Sequence, residues 1–145
     1  MDTRARRSLV LHGVIVIVLG LLAGFPFAFV ISGDLAGEVR AWRMAHLEGV
    51  LNGLVMLGMG AAGSLLLLSA LQSRVVEISL LVAGYGNVVA SILGASFGVR
   101  GLTPEGPAAN LIVFLLFTAA IVGVFVGLGL AALGALRSRE ACEPD

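Results

Sequence analysis

The chain has 145 residues, of which 59% are apolar and only 12% charged, and its mean hydropathy is +1.06. An average soluble domain is roughly 25% charged. Nine arginines balance nine acids and there is no lysine. These figures exclude a disordered chain, a nucleic-acid binder with a basic face and a disulfide-stapled secreted domain. A chain this short cannot hide so much apolar surface in one soluble core, which leaves an integral membrane protein.

Four stretches carry no Asp, Glu, Lys or Arg: Ser8 to Gly33, Gly49 to Ser73, Ile78 to Val99 and Gly106 to Leu136, of 26, 25, 22 and 31 residues. A helix needs about 17–25 apolar residues to cross a bilayer, and backbone groups in lipid must bond internally. The expected fold is therefore all-α, an integral membrane four-helix bundle, with helices at about 9–32, 44–71, 75–98 and 108–136. The whole chain, 1–145, forms one transmembrane domain in this reading. No ten-residue alternating segments suggest a β-barrel.

Helix one follows Arg4, Arg6 and Arg7, and its apolar run is too long for a signal-peptide core. It is expected to kink or end near Pro26. The first loop holds Asp34, Glu38, Arg40 and Arg43, with Trp42 as an interfacial anchor before a second helix starting near Met44. A tight turn at Gln72, Ser73 and Arg74 leads to helix three, with Glu77 at its start where the helix dipole favours an acid. The third loop, rich in Gly and Pro between Val99 and Pro107, reads as a structured turn. Helix four is long enough to tilt, and the tail from Arg137, with the lone Cys142 as a free thiol, reads as loose.

Six arginines fall in the two termini and the second connection, against three in the first and third loops. The positive-inside rule then places both termini in the cytoplasm of a cell (inner) membrane. Glycine pairs four apart occur in every helix: Gly20 and Gly24, Gly49 and Gly53, Gly94 and Gly98, Gly123 and Gly127. Such spacing suits a tightly packed bundle or an oligomer.

Polar groups inside the apolar stretches are few, and each is costly in lipid unless it faces an interior. On helix two, Glu48 and Asn52 share a face at 100° per residue, while His46 stands well off it. The three therefore serve adjoining cavities, or one reaches across a subunit boundary, or His46 simply bonds a neighbouring helix. His12 lies near the cytoplasmic side, where snorkelling is the plain reading. On helix three, Asn87 and Ser91 share a face, with Tyr85 nearby, and Asn87 is placed to bond Asn52 or Glu48. Structural glue is the plain alternative, since such bonds contribute about 0.6 kcal/mol in membranes. No P-loop, dinucleotide fingerprint, zinc-protease or serine-hydrolase motif is present. Histidine with Met44, Met56 and Met59 nearby best fits a haem iron, if any cofactor is bound.

Four segments carry a family resemblance. The run Ala41-Trp-Arg-Met-Ala-His-Leu-Glu-Gly-Val-Leu-Asn-Gly53 resembles the second-helix motif of the styrene oxide isomerases. Gly84-Tyr-Gly-Asn-Val88, Arg100-Gly-Leu-Thr103 with Gly106-Pro107, and His12-Gly13 resemble further family segments in matching order. The resemblance implies a homotrimeric membrane isomerase with one haem b per subunit, held between neighbouring subunits. Ferric iron would act as a Lewis acid on a lipophilic epoxide that rearranges to an aldehyde. It implies His46 as the iron ligand, Tyr85 beside the cofactor, and Asn52, Asn87 and Ser91 in the catalytic site, with Asn52 orienting the epoxide oxygen. Three positions depart from the family pattern: Ala83 and Ser91 stand where an Asp and a Tyr are expected, and Glu48 where a small residue is expected. The alternatives are a haem-binding membrane protein that is not an isomerase, and a cofactor-free structural or small-solute protein.

Overall fold

The computed structural model describes residues 1–141, so Cys142 lies outside the described residues. Four long helices form: α1 (Thr3–Ser32), α2 (Val39–Ala62), α3 (Ala70–Phe97) and α4 (Ala108–Glu140). No strand occurs among the described residues. Three helices, α1, α3 and α4, are long and apolar enough to cross a membrane. That is consistent with a membrane protein. Helix α2 carries His46, Glu48 and Asn52 in its middle and does not reach that apolarity.

Local chemistry sets the helix ends. Asp2 caps α1 by accepting the Ala5 N–H at 2.7 Å, six residues before the expected start. Pro26 does not end the helix, which runs on to Ser32. In an apolar run the backbone has no better partner than itself, so one missing N–H is tolerated. Helix α2 begins at Val39, so Trp42 sits in its first turn and is buried with Ala23, Val30 and Ala45, not set out as an interfacial anchor.

The second connection differs from the expected turn at Gln72 to Arg74. Helix α2 stops at Ala62, a single 3₁₀ turn spans Gly63–Leu65, and Ser69 starts α3. Ser69 and Gln72 form a reciprocal capping box, which pulls Gln72, Ser73 and Arg74 into the helix. Glu77 is consequently two turns inside α3, where it is 5% exposed and pairs with Arg74 at 3.2 Å. The third loop is fastened by Asn110, whose Oδ1 accepts the Gly101 N–H while its Nδ2 donates to the Thr103 and Glu105 carbonyls. Helix α4 continues through Arg137 to Glu140, so the expected loose tail is helical that far.

Small residues decide the packing. Helices α1 and α2 cross at Gly13, Gly20, Gly49 and Gly53, where the backbones touch. A Cβ on Gly20 would stand 2.7 Å from the Val50 nitrogen, and one on Gly53 2.6 Å from the Gly13 carbonyl. Gly123 of α4 meets α3 in the same way, 2.6 Å from the Ser79 carbonyl. Two of the expected pairs work differently. Gly24 faces the His46 ring, and Gly98 ends α3 in the left-handed conformation at φ 65, so Gly94 and Gly98 form a helix terminus instead of a helix contact. Helices α1, α2 and α3 pack mutually, whereas the substantial contact of α4 is with α3. That arrangement leaves a groove between α2 and α4, with α3 as its floor.

Candidate functional site

His46 projects from α2 toward α1. Its Nδ1 lies 2.9 Å from the Gly20 carbonyl oxygen, which can only accept, so Nδ1 carries the proton. The Nε2 lone pair is thereby left available, the tautomer that a metal-ligating histidine needs. Gly24 makes room for the ring: a Cβ there would sit 3.2 Å from Nδ1. Phe27 stacks on the imidazole at 6.3 Å between centroids and 18° between planes. Among the described residues no three His, Cys, Asp or Glu side chains gather as a metal cluster.

A second polar array lies on another face of α2. Asn52 donates through Nδ2 to both the Glu48 carbonyl at 2.9 Å and the Glu48 carboxylate at 2.8 Å. Its Oδ1 accepts from Asn87 Nδ2 of α3 at 3.1 Å. The expected bond from Asn87 to helix two is thus made to Asn52. Helices α2 and α3 run antiparallel, so the Asn52–Asn87 contact sets Glu48 level with Ser91, one turn further along.

Ser91 is buried and lines the groove between α2 and α4, a cavity of about 310 Å³. Its walls are Ala41 and Met44 of α2, Gly94 and Ala95 of α3 and Phe117 of α4. Glu38, Arg40 and Arg100 surround its mouth, with Arg100 and Glu38 4.0 Å apart. The groove is therefore apolar along its length and charged at one end.

Tyr85 stands apart from both arrays. Its hydroxyl bonds His12 Nδ1 at 2.8 Å, and the two rings meet edge to face at 5.7 Å. His12 turns inward to Tyr85, where the sequence suggested snorkelling. It lies eight residues before Gly20 on α1, about 12 Å along the axis at 1.5 Å per residue. One chain therefore brings Asn52, Asn87 and Glu48 together, with Ser91 on the adjoining turn, and sets His46 and Tyr85 elsewhere.

Sequence reasoning missed three features. The Glu48–Asn52 bond was legible as an i, i+4 pair. The Phe27 stack and the His12–Tyr85 bond had no signal, because each depends on which helix lies alongside.

A search among curated proteins gives no match. A family model described as styrene oxide isomerase matches residues 5–136, nearly the whole four-helix region, including His12, His46, Glu48, Asn52, Tyr85, Asn87 and Ser91. The chain therefore belongs to the styrene oxide isomerase family.

Proposed function

We propose that the protein is a membrane, haem b-dependent isomerase that converts a lipophilic epoxide into a carbonyl compound. The observation that supports the haem assignment is the His46 tautomer, in which the bond from Nδ1 to the Gly20 carbonyl leaves the Nε2 lone pair for a metal. His46 would hold the iron, and Phe27 would keep the ring in place. When bound, ferric haem supplies a Lewis acid for the epoxide oxygen and an open coordination position.

The remaining work falls to the chain. The reaction breaks one C–O bond, moves a hydride to the carbon left electron-poor, and forms C=O, with no atom gained or lost. An electron-poor carbon is quenched by water, so the site must be dry. Met44, Ala95 and Phe117 supply such walls. The Ser91 hydroxyl supplies a polar contact inside the groove, and the bonded Asn52–Asn87 pair lies about one helical turn beyond it.

His46 and the groove open on different sides of α2, which favours a haem shared between copies of this chain. A homotrimer with one haem per interface, α2 as the fourth membrane span, both termini cytoplasmic and an inner-membrane location complete the reading.

One observation favours a second reading, a haem protein without isomerase activity: both amide hydrogens of Asn52 are already taken by Glu48. Absorption spectroscopy and an aldehyde assay on the purified protein separate the two. A Soret band with aldehyde formed from styrene oxide or another lipophilic epoxide supports the first reading, and a Soret band without turnover of any epoxide supports the second. A colourless protein that cannot be reconstituted with haem sinks both.

A further inference from the structure

We propose that Glu48 is a positioning residue that removes Asn52 from the donor role and leaves Asn87 as the amide presented to a ligand's oxygen. The inference rests on the reading of the groove as the site of an oxygen-bearing lipophile.

An asparagine amide has two N–H donors. In Asn52 one meets the Glu48 carbonyl and the other the Glu48 carboxylate, at 2.9 and 2.8 Å. Both partners are acceptors, so the NH₂ group must point at Glu48 and Oδ1 must point away. Oδ1 in turn requires a donor, and Asn87 Nδ2 supplies it at 3.1 Å. The polarity of the whole chain, from carboxylate to Asn52 to Asn87, is therefore set at Glu48. Asn52 ends with no N–H left to give. Asn87 keeps one N–H, and it lies one helical turn from the groove-lining Ser91 on the same face of α3.

An apolar residue at position 48 would still offer its backbone carbonyl but not the carboxylate. One Asn52 N–H would then be free, a few ångströms from that of Asn87. Glu48 thus decides which of two neighbouring amides binds the ligand oxygen.

The test uses the purified full-length protein and carbonyl-¹³C acetophenone, an unreactive lipophile whose C=O stretch moves to lower frequency when it accepts a hydrogen bond. Difference infrared spectra need no turnover, so a protein inactive on epoxides still tests the inference. The bound carbonyl band is expected to be red-shifted in the parent protein and to lose that shift in Asn87→Leu. It is expected to regain it in Glu48→Ala/Asn87→Leu, where Asn52 has a donor again. Glu48→Gln, whose side-chain oxygen still accepts from Asn52, is expected to match the parent and serves where Glu48→Ala fails to fold. On epoxide, Asn87→Leu is expected to lower kcat about 100-fold, the lower end for loss of one such donor. The inference is overturned if the shift survives Asn87→Leu and disappears in Asn52→Leu, if the double variant shows no recovery, or if acetophenone gives no bound band.

Discussion

His46 and Tyr85 show how little a side chain's identity says about its partner. Both sit in apolar helices and both are half-buried, yet one bonds a backbone carbonyl and the other a second histidine. The difference yields opposite expectations. On the proposed haem reading, His46→Ala should abolish the Soret band of purified protein, because it removes the only imidazole whose Nε2 is set free by a bond to a backbone carbonyl. Tyr85→Phe should leave that band unchanged and lower thermal stability slightly, since a hydrogen bond between membrane helices contributes about 0.6 kcal/mol on average. A displaced Soret band in Tyr85→Phe would instead put Tyr85 beside the cofactor.

At the scale of the helices, glycine sets how closely they approach and a single serine sets where one begins. Gly49 packs backbone to backbone against Gly20. Gly49→Leu should therefore separate α1 from α2, read as loss of folded, detergent-soluble protein by size-exclusion chromatography. Gly58, on the same helix with nothing within 4 Å of its Cβ position, is the control: Gly58→Ala should behave as the parent. Ser69→Ala removes one half of the α3 capping box and should destabilise the protein by about 0.5–2 kcal/mol in thermal unfolding. The α2 and α3 boundaries near this point were misread from sequence because the uncharged stretch runs to Ser73. Charge marks where lipid ends, whereas a capping serine marks where a helix begins, and here the two differ by several residues.

For the molecule as a whole, the unequal packing of α4 matters most. It rests mainly on α3, so the groove above Ser91 has one wall held by a single helix pair. Gly123→Leu, which places a large side chain against the Ser79 carbonyl, should push α4 outward and open that wall. In a Cys142→Ala background, a Ser91→Cys probe should then react several-fold faster with a membrane-permeant maleimide. Equal rates would mean that α4 does not shield the groove.

The sequence alone determined that the chain is helical and apolar, with four long helices and a handful of polar groups on which any chemistry must fall. Those properties follow from composition and period, which are local: an uncharged run of sufficient length has few other ways to satisfy its backbone. The i, i+4 relation of Glu48 and Asn52, and that of Asn87 and Ser91, were equally local and legible. Only the tertiary structure decided that Asn52 meets Asn87, that His12 meets Tyr85, and that His46 turns to Gly20 on the far side of α2 from the groove. Each of these depends on the rotation and register of one helix against another. Close glycine contacts restrict that register, and no spacing within a single helix encodes it.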